Sequence, residues 1–309
     1  MKEIKDKVSV IIPTKNRAKE MIKCLSSISI QTRIPDEVVI VDSSDNQNLR
    51  HKIKQFRNLS IYYIHTEPGL ELQRNVGIKK SNGNIIVFSD DDTIWDKDYL
   101  KEIERVFNEF PKNIGGVTGN PIQKRIDLIK NILTKIEHII PKIFLLTTID
   151  NGKFKLSGRP SILPVDIKEI TPCEFLFGFS MAFKRDVITR FWFDENLKGY
   201  VWNEDDDIAY RVSRKYQNYF TPFAKILHSQ PRRAAQATDF IAKQKKIEYH
   251  YYLFNKNLPK DFKHKIAFWW SVIGMLMEEI IIGIIKRNLK GVLGIFAGLK
   301  NILKGVQLN

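Results

Sequence analysis

Cysteine is nearly absent from this chain, with two residues in 309. Cys24 and Cys173 lie in apolar contexts without metal-ligand spacing, so they read as small core residues and not as a zinc site or a disulfide framework. Internal repeats and low-complexity segments are missing too. The first seven residues hold no apolar secretory core, which predicts a protein made and kept on the cytoplasmic side. Acids are in deficit: 50 Lys and Arg stand against 35 Asp and Glu, a net charge of +15. Such a balance calls for an anionic partner, whether nucleic acid, anionic lipid or a phosphorylated substrate. With no basic stripe interleaved with aromatics and no recognisable nucleic-acid motif, nucleic acid is not expected. What remains is an ordinary folded composition, 43% hydrophobic and 28% charged, long enough for one large domain or two.

The first half alternates strand and helix patterns. Strands are expected at 8–13, 37–42, 59–65 and 84–89, and helices at 17–29, 48–56, 71–80 and 99–110. That alternation argues for βαβ units and a mostly parallel sheet. The middle, 122–170, is less regular and more basic, with a helix expected near 126–140 and a Gly/Pro-bearing loop at 151–164. A strand-like stretch at 173–183, a helix at 185–191, an acidic run at 204–207 and a short strand and loop at 219–228 follow. From Asp239 the pattern is helical and then strongly apolar.

The most informative run is Asn84-Ile-Ile-Val-Phe-Ser89 followed by Asp90, Asp91 and Asp92. Three carboxylates at the end of a buried strand repel one another unless a positive group sits among them. Hard oxygen donors so crowded suit a divalent cation such as Mg or Mn, which can hold a diphosphate. The carboxyl edge of an open α/β sheet is also where ligands bind. The plainer alternative is a solvated acidic turn, with Asp92 or Thr93 capping the next helix. Glu204–Asp207 offers a second acidic group, open to two readings: a general base in a cleft, or a helix N-terminus with acids complementing its dipole. Asp207 and Arg211, four apart, fit a helical ion pair.

Six segments recur in order: Pro13-Thr14-Lys15-Asn16-Arg17; Asp42 with Ser43-Ser44-Asp45; Gly69 to Gly77 with Arg74 and Asn75; Asp90–Asp92; Gly178 to Phe183 with Glu204–Arg211; and His228 after Thr221-Pro222. Together they resemble the inverting family 2 glycosyltransferases, over roughly residues 8–232. The resemblance implies a GT-A fold, an α/β Rossmann-like mixed, mostly parallel sheet flanked by helices. It implies that Pro13, Thr14, Asp42 and Arg74 border the nucleotide, Asp42 accepting from the base, with Arg17, Asn75, Asp90 and Asp91 also on the donor. It makes Asp90 and Asp92 the two acids of a DxD motif, Asp92 the more direct ligand of Mn2+ or Mg2+, and puts His228 near metal and diphosphate. Asp205 would be the catalytic base. Ser43-Ser44 departs from the family pattern, where an acid and a glycine are usual. His228 read alone is as well a surface histidine. Arg232 and Arg233 read as diphosphate contacts or a solvated loop, and Trp202 as a sugar platform or a core or lid residue.

The expected partners are a nucleotide-sugar donor and a glycan or lipid-linked acceptor. The expected activity is metal-dependent inverting sugar transfer to a hydroxyl, in cell-surface polysaccharide or glycoconjugate synthesis. The alternatives are a nucleotidyltransferase on a related fold, which would want a glycine-bearing triphosphate loop after strand one, and a non-catalytic membrane-associated binding protein. The expected division is a catalytic domain at 1–235, its nucleotide-sugar half at 1–121 and its acceptor half at 122–235, then a helical region at 236–309. From Gln236 onward 12 Lys and Arg face 5 Asp and Glu. Residues 266–285 approach a bilayer's thickness, but Glu278 and Glu279 interrupt them at a cost in lipid. Helices lying in the cytoplasmic leaflet are expected, peripheral on the inner face of the cell membrane. The alternative is a helical hairpin packed on the catalytic domain or on a second subunit of a homodimer.

Overall fold

The structure, a computed structural model, describes residues 6–110, 112–122, 139–164, 166–197, 204–228 and 239–305. The first half runs β1 (Val8–Thr14), α1 (Ala18–Ser29), β2 (Glu37–Asp42), α2 (Asn48–Lys52), β3 (Ile61–His65), α3 (Leu70–Lys80), β4 (Ile85–Ser89), β5 (Thr93–Trp95), α4 (Tyr99–Glu109) and β6 (Ile114–Pro121). Then come β7 (Thr148–Ile149), β8 (Ser161–Ile162), β9 (Thr171–Cys173), β10 (Ser180–Lys184), α5 (Arg185–Phe191), α6 (Glu204–Ser213) and β11 (Gln217–His228). Three helices close the chain: α7 (Asp239–Asn257), α8 (Phe262–Lys286) and α9 (Lys290–Leu303).

Every residue of β1, β2 and β4 is buried. Strands covered on both faces need continuous apolar runs, which is what these segments supply. Strands β3, β2, β1 and β4 are parallel neighbours in that order. The chain therefore builds outward from β1 to β3 and returns to β4 on the other side of β1. That reversal opens a crevice at the carboxyl ends, the place where such sheets bind ligands. Beyond β4 the sheet is mixed: β10 is antiparallel to both β4 and β6, β11 is parallel to β6, and β5 and β9 pair antiparallel with β11.

Helices cover both faces. Met21, Leu25, Leu100 and Ile103 carry α1 and α4 onto one side, and Ile78, Ile188, Ile208 and Val212 carry α3, α5 and α6 onto the other. A Cβ at Gly77 would collide with Ile11, so the glycine lets α3 lie close upon β1. The C-terminal helices make a separate core with Phe144 and Leu146, built on Ile247, Phe254, Phe268, Val272, Met275 and Ile295.

Two expectations need correction. The stretch 173–183 is not one strand. Its first residue, Cys173, pairs with β11 and its last with β4 and β6, so the chain must cross over β11 and β6 between them. Asp90–Asp92 do not cap a helix. They lead into β5, and α4 begins only at Tyr99, after Asp98. The expected helix at 126–140, save its last two residues, and Trp202, Arg232 and Arg233 lie outside the described residues.

Candidate active site

The three acids that follow β4 do not point the same way. Asp91 is fully buried, accepts a hydrogen bond from Thr14 Oγ1 at 2.7 Å and pairs with Arg17 Nη1 at 2.9 Å. It locks the loop to the end of β1. Asp90 and Asp92 face the crevice instead, where β11 delivers His228. Imidazole Nε2 lies 3.0 Å from Asp92 Oδ1 and 3.8 Å from Asp90 Oδ2. Potential ligand atoms of Asp90, Asp92 and His228 all lie within 4.8 Å of one another, close enough to share one ion. Arg17 Nη2 closes the cluster at 2.7 Å from Asp92 Oδ2.

Charge accounts for how these groups titrate. Burial alone would raise the Asp92 carboxyl, but the hydrogen bond and charge of His228, and then Arg17, hold it below its ordinary value. Burial alone would lower His228, yet Asp92 and then Asp90 hold it above. The imidazole is also stacked on Phe179, with ring centroids 4.5 Å apart, which fixes its plane.

The second carboxylate group arrives on α6. Asp205 Oδ2 accepts from the Gly178 N–H at 3.0 Å. Burial pushes the Asp205 carboxyl above the ordinary range, against the pull of that N–H and of Arg74. Glu204 is pushed well above, by burial and then by the charge of Asp205. Arg74 joins the two groups. It is almost wholly buried, with Nη2 3.8 Å from Asp90 Oδ1 and 3.3 Å from the Gly178 carbonyl, and Nη1 3.5 Å from Glu204 Oε1.

Comparison with known proteins fits this constellation. Residues 9–158 match the family model for "Glycosyl transferase family 2". That stretch, just under half of the chain, is where the likeness to the family 2 glycosyltransferases lies. Glycosyltransferase GlyA of Streptococcus pneumoniae is 32% identical over 36% of this chain and 16% of its own length. Chondroitin synthase of Escherichia coli is 25% identical over 80% of this chain and 39% of its own length. The chain thus spans well under half of those two relatives. Among solved structures, mannosyltransferase PcManGT from Pyrobaculum calidifontis, in complex with GDP-Man and Mn2+, superposes with a TM-score of 0.59 at 17% identity, covering 98% of this chain and 88% of that one. S. aureus TarS 1-349 gives 0.57 at 16% identity, covering 90% and 74%. These likenesses establish the GT-A fold.

The remaining expected residues fall into two groups. Pro13 and Thr14 end β1 beside Val41 and Asp42 of β2, at the same crevice. Asp42 accepts from the Ser44 N–H at 2.8 Å and from Tyr63 Oη at 2.7 Å, and the Ser44 hydroxyl binds it as well. Ser44, at the departure from the family pattern, thus orients Asp42. Ser44 Oγ also accepts from the Asn16 N–H at 2.7 Å, which ties the first two βα loops together. Asn75 stands apart. Its amide donates to Phe193 O at 3.0 Å and Glu195 Oε1 at 2.8 Å and accepts from the Phe193 N–H, so it fastens α3 to the loop after α5.

Sequence reasoning missed three residues. Gln73 donates to Thr14 O at 2.9 Å and Val41 O at 2.7 Å, joining the ends of β1 and β2. A glutamine one residue before Arg74 gave no signal of that role. Glu71, buried on the same helix, is pushed up to about 7 by burial, with Arg74 pulling the other way. Gly178 was visible only as part of a motif. Its role comes from space: a Cβ there would lie 3.2 Å from Asp205 Oδ2 and 3.4 Å from Arg74 Nη2.

Proposed function

We propose that this protein is a metal-dependent inverting glycosyltransferase, moving a sugar from a nucleotide-diphospho-sugar to a hydroxyl of a glycan or lipid-linked acceptor. The observation that carries the reading is the span of Arg74 between two carboxylate groups, Asp90 on one side and Glu204 beside Asp205 on the other. Direct displacement at an anomeric carbon needs charge neutralised on the leaving diphosphate and a base on the opposite face. Two acidic groups bridged by one buried guanidinium meet both demands.

Two carboxylates and an imidazole fit Mn2+ or Mg2+, the carboxylates as hard donors and the imidazole favouring Mn2+ of the two. When bound by Asp90, Asp92 and His228, the ion would offset the charge that develops on the nucleoside diphosphate. Arg17 and Arg74 would add donors for phosphate oxygens. Asp42, held by Ser44 and Tyr63, would accept from the nucleobase. The Asp205 carboxylate would take the proton of the acceptor hydroxyl, oriented by the Gly178 N–H, and its raised pKa brings it closer to the working pH of a general base.

The GDP-Man and Mn2+ in the PcManGT complex and the UDP in a TarS complex support a nucleotide-diphosphate donor here. Chondroitin synthase among the relatives supports a polysaccharide or glycoconjugate acceptor. The domain reading follows: a nucleotide-sugar half at 1–121, an acceptor half at 122–235 and a helical appendage after them. A donor screen tests the proposal: purified protein with Mn2+ or Mg2+ and a panel of nucleotide sugars, scored by thermal shift and by release of nucleoside diphosphate. A donor that stabilises the protein and is hydrolysed only with metal supports it. Hydrolysis undiminished in chelator rejects metal dependence, and no response to any donor rejects the donor class.

A further inference from the structure

Helix α8 has 25 residues, about 37 Å at 1.5 Å per residue, long enough to cross a bilayer. Its packing assigns it otherwise. One face is buried in the protein: Phe268, Val272 and Met275 join the C-terminal core, and Ser271 bonds His250 at 3.0 Å. A Cβ on Gly274 would collide with Phe144. A helix held this way cannot leave the protein to span lipid without opening that core.

The opposite face is exposed. Ile266, Trp269, Ile273, Met277, Ile280 and Ile284 are all exposed, at the three- and four-residue spacing of one helical stripe. Every exposed residue of α8 is apolar or a lysine. The glutamates that interrupt the apolar run turn inward. Glu279 is buried against Lys243, and Glu278 is partly buried in the field of Lys246, Lys243 and Arg159. They are the only acids after Asp261, so the stripe shows no carboxylate to its surroundings.

Charge selects the occupant. Exposed Lys263 and Lys265 stand at the start of α8, and Lys286, Arg287 and Lys290 at its end. A spanning helix collects its basic residues at one end, on the cytoplasmic side. Basic residues at both ends instead fit a helix lying flat on an anionic surface, with its tryptophan at headgroup depth. A second copy docked on the same stripe would bring these like charges together, with Asp261 at the N-cap of α8 the one exposed acid beside them among the described residues of the helix and its caps.

We propose that α8 is an in-plane membrane-docking helix, its exposed stripe buried in the headgroup–acyl boundary of an anionic leaflet such as the cytoplasmic one. This reading does not depend on sugar transfer, and its test reads no activity.

The test is flotation of the full-length protein with vesicles of phosphatidylcholine alone or mixed with phosphatidylglycerol. The protein should float with the anionic vesicles, and less as salt rises. Lys286→Gln/Arg287→Gln/Lys290→Gln should weaken binding by roughly a hundredfold. Ile273→Asn/Met277→Asn/Ile280→Asn should abolish flotation while a cooperative thermal transition is kept, because these exposed side chains stand outside the C-terminal core. Brominated lipid should quench wild-type fluorescence more than that of Trp269→Phe. Failure of the wild type to float, or undiminished flotation of the apolar-face variant, overturns the proposal. So does a dimer in lipid-free solution that the apolar-face substitutions dissolve, since the stripe would then belong to a second copy.

Discussion

Gly178 holds Asp205 from two directions: its N–H donates to Oδ2 at 3.0 Å, and its missing side chain leaves the space that the carboxylate fills. The same residue's carbonyl accepts from Arg74 at 3.3 Å. One backbone position thus sets the distance between the candidate base and the guanidinium that reaches toward Asp90.

Asp205→Asn should therefore lower kcat by a factor of about a hundred or more, the scale of a lost general base. Donor affinity, measured by calorimetry, should be nearly unchanged, because the base faces the acceptor. In the wild type the base works only when deprotonated, and its pKa is raised. Turnover should fall as pH drops, with a midpoint above the ordinary aspartate value of about 4. Normal saturated turnover in the asparagine variant would remove Asp205 from the role.

Gly178→Ala tests the spacing. The added Cβ must push Asp205 or Arg74 by a few tenths of an ångström. A displacement that small should cost about tenfold in kcat, with KM for donor changed little. The acid limb of the pH profile should shift as well, because the N–H bond that favours the ionised form is disturbed. A variant with wild-type kcat and profile would show that the fit has no catalytic importance.

Chelation should abolish transfer, and Mn2+ or Mg2+ should restore it. Asp92→Asn should lose activity in any metal concentration that supports the wild type while keeping a cooperative thermal transition. Binding has a readout besides turnover: Mn2+ should raise the melting temperature of the wild type and not of the variant. Full activity in EDTA would contradict the assignment.

Glu71 gives a stability prediction. Its folded pKa of about 7 lies above the unfolded value near 4.3. A raised carboxyl pKa means the folded state binds the proton more tightly, so stability falls as pH rises through that window and the cost is complete above it. Glu71→Gln should gain up to about 3 kcal/mol in urea unfolding at pH 8 and little at pH 4. Equal effects at both pH values would mean that Glu71 does not carry a shifted proton.

The parallel half of the sheet was legible because β1, β2 and β4 are buried on both faces and read as unbroken apolar runs. The acids at Asp90–Asp92 were legible as a group, but their split was not. Asp91 turns inward because Thr14 and Arg17 stand behind it, and no local pattern records that. The stretch 173–183 misled for a related reason: β9 and β10 serve different neighbours on either side of β6. Glu279 turns inward to Lys243, and Glu278 lies partly buried in the field of Lys246, a placement hidden in the sequence because it does not say which way a helix is turned.

Two residues beyond Asp205, the buried Asp207 accepts from Arg211 at 2.6 Å on its own helix, and from Lys256 at 3.0 Å and Asn257 at 2.9 Å on α7. Lys256 also grips Asp194. The appended helices are thus bolted to the turn of α6 that carries the candidate base, and shortening the protein from its C-terminus is not neutral trimming. A version cut back past Lys256 would leave Asp207 buried with one partner fewer on each side, and the register of α6 would loosen first. Anyone building chimaeras from this scaffold should exchange the last three helices and α6 as a single cassette.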